Sequence, residues 1–287
     1  MVRRTYSNHP QALARQMKRV IDQVRHSPSP EAVHRLRTTT RRWEALHHRI
    51  LGEEADKPLR PFAKVRKLAG RVRDADVQEA ALRSVRMGRN GNMRKAVLEY
   101  LHDRRTQQSE KLISFLDDSF YAKLRRRLKK MEARLSEADT AGPDPSVAMA
   151  HARELLREIA ADYGFPEAGE IDDERLHQLR LRCKRIRYTA EQAGEYPEAL
   201  LWVAELRRVQ DAIGEWHDWL DLTATVRKVL KDNFNRPLIF ALENVMRAKR
   251  HTAIATASEV LASLLDGAGK KPARSGARAP RETLKSA

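Results

Sequence analysis

The sequence predicts an all-α protein made of two four-helix bundles related by a pseudo-twofold internal duplication, with long helices and a disordered basic C-terminal tail. Three observations carry that reading. Apolar residues recur at helical spacing almost throughout, and no stretch alternates apolar and polar residues as a half-buried strand would. Aromatics are 6% of the 287 residues and there are 12 glycines and 12 prolines, a composition that favours long helices over turn-rich sheets. A His-x-x-Arg pattern occurs twice, 143 residues apart, each time in the second helix of a set of four.

The helices follow in order. The first, 8–26, opens near Pro10. The second, 30–50, opens at Pro30 and stops before Gly52, and the third, 58–87, runs from Pro58 to Gly88. The fourth, 91–137, is long enough that a break is expected at Asp117-Asp118-Ser119. Ala141-Gly142-Pro143-Asp144-Pro145 is the strongest internal boundary. Beyond it come helices at 146–163, 171–193, 197–232 and 236–265, with Gly164, Gly169 and Gly194 in the breaks and Pro197 and Pro237 near helix starts. A proline in the first turn removes an N–H that has no intrahelical partner anyway. Residues 1–142 and 143–265 are therefore the expected halves. Residues 266–287, rich in Gly, Ala, Pro, Lys and Arg, form the tail expected to be disordered.

Lys and Arg number 56 against 39 Asp and Glu, a formal charge of +17 and a pI near 10.3. With 41% hydrophobic residues the chain can still build a core. Such a charge points to a polyanionic partner: nucleic acid, an anionic membrane surface or a phosphate polymer. The tail holds six cations against Asp266 and Glu282, so most of the excess lies on the helices. A single cysteine, Cys183, rules out an intramolecular disulfide. No apolar segment follows Met1-Val2-Arg3-Arg4, and no apolar run approaches the ~18 residues of a membrane span. A cytoplasmic protein with no membrane partner is expected.

The first motif reads Val33-His34-Arg35-Leu36-Arg37-Thr38-Thr39-Thr40-Arg41-Arg42-Trp43. The second reads Leu176-His177-Gln178-Leu179-Arg180-Leu181-Arg182-Cys183-Lys184-Arg185-Ile186. At 100° per residue, His34, Arg37 and Arg41 share a face, with Val33, Leu36, Thr40 and Trp43 beside them. His177, Arg180, Lys184 and Tyr188 share the other, with Arg187 at its edge and Leu176, Leu179, Cys183, Ile186 and Ala190 alongside. Some 36 residues after each histidine comes Gly-x-x-(Arg/His)-Asp, at Gly70-Arg71-Val72-Arg73-Asp74 and Gly214-Glu215-Trp216-His217-Asp218. The third helix adds a basic stripe of Arg60, Lys64, Lys67 and Arg71. The first helix adds Arg15, Lys18 and Arg19, and Arg207 and Arg208 precede the second glycine. Basic runs are usually solvated faces. Here, however, like charges at i,i+3 and i,i+4 repel with few carboxylates to offset them, and they do so twice, as expected of a surface kept for an anion. The cations around His34 are expected to lower its pKa.

His34-x-x-Arg37-x-x-x-Arg41-Arg42 with Leu68-Ala69-Gly70-x-x-Arg73-Asp74-x-Asp76-Val77 resembles the conserved histidine α-helical domain, or CHAD domain, family. So does His177-x-x-Arg180-x-x-x-Lys184-Arg185-x-Arg187-Tyr188 with Gln210-x-x-x-Gly214-x-x-His217-Asp218. The resemblance spans about residues 8–265. It implies paired four-helix bundles and a basic surface or channel between them. It also implies binding of inorganic polyphosphate by a stand-alone, non-enzymatic member at polyphosphate granules. The chain departs from the pattern at Thr38, Thr39 and Thr40, and Glu44 stands where the second half has Arg187. The residues expected to bind polyphosphate are Arg15, Arg19, His34, Arg37, Arg41, Arg42, Lys64, Lys67, Arg71, His177, Arg180, Lys184, Arg187, Arg207 and Arg208.

No catalytic residue, metal ligand or cofactor is expected. His217-Asp218 invites comparison with metal-dependent HD phosphohydrolases, but Arg73 fills the position of His217 in the first half and cannot ligate a metal. Asp74 and Asp218 are expected to orient neighbouring cations or cap backbone, and Trp202, Trp216 and Trp219 to lie in the core. No HExxH, P-loop or cysteine cluster is present. Nonspecific nucleic-acid binding is the main alternative, weakened by the lack of a helix-turn-helix and of aromatics for stacking. The sequence leaves the oligomeric state open.

Overall fold

The helical periodicity is realised as nine α-helices in a computed structural model that describes residues 10–51, 57–85, 91–137, 144–164, 171–231 and 236–268. They are α1 (Pro10–His26), α2 (Pro30–Leu51), α3 (Arg60–Ser84), α4 (Gly91–Phe115), α5 (Asp118–Glu137), α6 (Pro145–Tyr163), α7 (Asp173–Glu191), α8 (Pro197–Leu230) and α9 (Arg236–Ala268). A single 3-10 turn, Lys57–Leu59, precedes α3, and the described residues contain no strand. The boundary at 141–143 and the tail beyond residue 268 lie outside the described residues.

Local chemistry sets the ends. The fourth expected helix divides where its acidic break was read: Asp117 Oδ1 accepts a hydrogen bond from Phe120 N (2.7 Å), which starts α5 as a separate helix. Asp144 accepts from Ser146 N (2.8 Å) ahead of α6, and Asp172 from Arg175 N (2.7 Å) ahead of α7. Pro145 and Pro197 sit in the first turns of α6 and α8.

The two halves repeat in packing. α2 lies between α1 and α3, α7 between α6 and α8; α4 runs along α3, and α9 along α8. α5 then packs on α1 and α2, whereas α9 reaches α6 without a break. Each half closes on its own apolar core. The first surrounds Met17, Ile21, Leu36, Trp43 and Phe62, with the Trp43 and Phe62 ring centroids 6.2 Å apart. The second surrounds Leu156, Cys183, Ile186, Trp202, Leu206 and Trp216. A third core joins the halves: Leu82, Val97 and Leu101 pack with Trp219, Leu222, Leu238 and Leu242. Beside it Thr225 Oγ1 of α8 donates to Gln78 Oε1 of α3 (3.2 Å). All three tryptophans read as core residues are buried.

Leu222 is fully buried in the joining core. Leu222→Ala is expected to cost about 2–5 kcal/mol in urea unfolding while leaving helicity in buffer intact.

Candidate functional site: cations from both halves

Within each half, the motif arginine of one helix crosses the motif glycine of the next. A Cβ placed on Gly70 of α3 would lie 2.5 Å from Arg37 Nη1 of α2. The position of a Cβ on Gly214 of α8 is 3.6 Å from Arg180 Nη2 of α7, an ordinary contact. One turn beyond each glycine stands a carboxyl group, Asp74 or Asp218. Both keep accessible surface, but the surrounding protein removes enough water to push their pKa values up. Arg37 opposes that rise at Asp74, and at Asp218 His217 and then Arg180 do so. Repulsion reinforces it: Asp221 acts on both carboxyls and Asp74 acts on Asp218. The Gly-x-x-x-Asp spacing thus lets an arginine lie across a helix toward an acid on the following turn.

The motif histidines sit beside the variable position of the same element. His34 is exposed, and its pKa falls through lost hydration first, then through Arg73, Arg37 and Arg41. The expected direction is right, with hydration outweighing the cations. In the second half His217 occupies the place of Arg73, and its ring centroid lies 5.8 Å from that of His177. His217 Nδ1 is 3.3 Å from Asp221 Oδ2, and that carboxylate raises the His217 pKa against burial and Arg180.

The two halves then meet through charge. Lys184 of α7 is depressed by lost hydration, followed by Arg41 and Arg66 of the first half and Arg180 and Arg187 of its own. Arg41 of α2 is depressed by lost hydration, then by Arg37, with Arg66 and Arg180 adding and Tyr188 opposing. Arginine stays charged regardless, so the repulsion persists. Lys184 Nζ and Arg187 Cζ lie 5.5 and 4.6 Å from the Tyr188 ring centroid. Arg187 also pairs with Glu191, whose pKa is raised by burial while Arg187, Arg207 and Arg42 pull it down. Arg42 of the first half therefore acts on a carboxyl of the second.

Of the residues singled out in the sequence, this face unites His34, Arg37, Arg41, Arg42, His177, Arg180, Lys184, Arg187 and Arg207. Arg15 and Arg19 lie on the exposed side of α1, and Lys67 and Arg71 on that of α3. Lys64 is drawn over the Phe115 ring at 4.5 Å, and Arg208 bonds Glu205 and Glu259 (2.6 and 3.3 Å), so neither is directed into the set. The structure adds Arg66, Arg73, Tyr188 and His217. Arg66 Nε lies 2.8 Å from Glu44 Oε2 without hydrogen-bond alignment, and in the matching place Arg187 Nε donates to Gln210 Oε1 (3.1 Å). The cation has changed helices between the halves. The signal was available: Arg66 and Gln210 each precede the motif glycine by four residues. Among the described residues no group of three or more His, Cys, Asp or Glu is arranged to hold a metal ion.

The family model of the CHAD domain matches residues 11–227. No curated protein matches the chain. A solved CHAD domain from the plant Ricinus communis superposes with a TM-score of 0.66 at 17% identity, covering 89% of this chain and 90% of that one. PptA from Streptomyces chartreusis superposes with a TM-score of 0.60 at 18% identity, covering 90% of this chain and 97% of that one.

Two outcomes follow from the geometry. Gly70→Ala is expected to hold or raise the thermal midpoint, since Ala is worth about 0.5–1 kcal/mol over Gly in a helix and the colliding atom ends a flexible side chain. Arg37 is displaced, so the Asp74 pKa rises further in a carboxyl NMR titration, while Gly214→Ala leaves Asp218 unchanged. His217 holds its proton more tightly folded than unfolded. The stability it adds is complete below about pH 6.5 and lost as pH rises through the folded value. Chemical denaturation at pH 6 and pH 9 should show a smaller fall for His217→Gln than for the wild type.

Proposed function

The chain belongs to the CHAD domain family, and on that premise we propose that it binds inorganic polyphosphate, without catalysing a reaction, along the cationic face shared by its two halves. The carrying observation is that like charges of the two halves act on one another: Arg41 and Arg66 of the first half depress Lys184 of the second, and Arg180 of the second depresses Arg41. A phosphate chain lying across them replaces repulsion with attraction and releases its counterions, a term that grows with every phosphate neutralised. Arg37, Arg41, Arg42, Arg180, Arg187 and Arg207 offer forked donors to phosphate oxygens, and Lys184 a mobile point charge. Glu191 holds Arg187 in place, and Asp74 and Asp218 attract Arg37 and Arg180.

Polyphosphate is favoured over nucleic acid by the aromatic at the face. Tyr188 already carries Lys184 and Arg187 against its ring, so it is not free as a platform for bases. No described helix is long and apolar enough to cross a membrane. We place the protein at polyphosphate granules, which imaging of a fluorescent fusion against a polyphosphate stain would test.

The direct test is a competition titration at about 0.15 M salt. Labelled long-chain polyphosphate is displaced by short polyphosphate, duplex DNA or single-stranded RNA matched for phosphate. Equal displacement by DNA or RNA overturns the reading. Replacing Arg37, Arg41, Arg180 and Lys184 together by Gln is expected to weaken binding more than about tenfold and to lower the salt slope by about 3, with helicity unchanged. Affinity within about twofold of wild type would reject these residues as the site. His34 titrates low in the free protein, and a bound polyanion favours its protonated form. Affinity should therefore rise as pH falls from 8 to 6, and less so in His34→Gln.

A further inference from the structure

A second cationic feature lies on the first half and shares no residue with the face described above. Lys123, Arg126, Arg127, Lys130 and Arg134 recur along one side of α5 at helical spacing, and Lys57 and Pro58 of the 3-10 turn stand across from them. Together with Met131 they line a cleft of about 430 Å³. At ~30 Å³ per water it has room for roughly a dozen waters, and so for a few linked phosphate groups. Lys123 to Arg134 extend about 16 Å along the helix axis. Among the described residues the cleft has no carboxylate in its lining, and its six cations make no ion pair with a described residue. Elsewhere on the surface arginines find acids, as Arg83 does Glu79 and Arg157 does Glu154. Among the described residues no separate helix of the second half matches α5; the unbroken α9 packs on α6 in its place.

We infer that this cleft is a second, independent polyphosphate-binding site, so that one chain holds two segments of polymer and cross-links them. The inference rests on the polyphosphate reading above. The lining explains the ligand class. Among the described residues it offers point and forked donors, no side-chain acceptor and no aromatic ring; nearby Tyr121 is covered by Arg25 and Arg125 at 4.7 and 5.7 Å. Bases would find neither stacking nor an acceptor for their amino groups, whereas a bare phosphate chain needs neither. Two sites on one rigid chain make the second engagement of a long polymer intramolecular, which raises avidity and gathers several polymers into one particle.

The test titrates the full-length protein calorimetrically with polyphosphate of about ten units at about 0.15 M salt. It compares wild type, a cleft variant (K123Q/R126Q/R127Q/K130Q) and the four-Gln variant of the shared face. Wild type should bind two short chains, and each variant one. Long-chain polyphosphate should form large particles by light scattering with wild type and not with either variant. The four cleft positions are exposed and Gln is a good helix former, so circular dichroism should not change. Were the cleft variant to lose helicity, K123Q/K130Q should still weaken the second site threefold or more. A cleft variant that binds as many chains as wild type overturns this inference and leaves the shared face standing. A face variant that still binds two chains overturns the shared face and leaves the cleft standing, and a wild type that binds none overturns both. Matched single-stranded RNA that fills the cleft as tightly as polyphosphate overturns the assignment of ligand.

Discussion

Repulsion among cations held at close quarters is the constraint to which the rest of the molecule answers. Arg37, Arg41, Arg66, Arg180, Lys184 and Arg187 act on one another across two bundles, and two of them have lost hydration enough to shift their titration. Left to themselves, α2 and α7 would splay. What holds them is the apolar side of the same helices: Leu36, Trp43, Leu176, Leu179, Cys183 and Ile186 are buried, each large one stabilising by roughly 1.5–3 kcal/mol. Partly hydrated like-charge pairs cost fractions of that, so packing wins and the charge stays in place. The nearby acids do not neutralise the face. Glu44 and Glu191 each pair with one guanidinium, and Asp74 and Asp218 have their own pKa values pushed up by lost hydration.

The duplication has been kept in geometry and relaxed in chemistry. His34 has Arg73 beside it where His177 has His217. Glu44 meets Arg66 where Arg187 meets Gln210. Thr40 fills the buried place of Cys183, its hydroxyl satisfied by the Leu36 carbonyl at 2.8 Å. At the Glu44–Arg66 and Arg187–Gln210 pairs the contact between neighbouring helices survives while the donor and acceptor change, as a packed interior demands of shape and hydrogen bonding but not of residue identity.

Much of the scaffold was legible in the sequence because helix ends are local events. Pro30, Asp144, Asp172 and Pro197 act within a turn of themselves, and the break near Asp117 follows from one side chain capping its own neighbour. The motif stripes were legible for the same reason, since a wheel needs only the sequence of one helix. A wheel does not name the neighbour a side chain meets. Lys64 shares the stripe of α3 but meets Phe115, 51 residues on, and Arg208 meets Glu259 of α9. Arg66, off that stripe, turns to Glu44 and joins the shared face. The third core was hidden in the same way. Leu82, Leu101 and Leu222 each fall within an expected helix, but nothing local says that they are buried against one another.

That third core also bears on time. The halves cannot separate without exposing Leu82, Leu101, Leu222 and Leu242 to water, so the spacing of Arg41 and Lys184 is set during folding and not by a ligand. A host prepared in this way has no conformational step to wait for. A flexible polyanion bears the loss of freedom on binding, and its arrival is governed by diffusion in the field of a chain with a formal charge of +17. Encounter should then be fast and sensitive to ionic strength, and differences in retention between short and long polymers should appear in how slowly they leave.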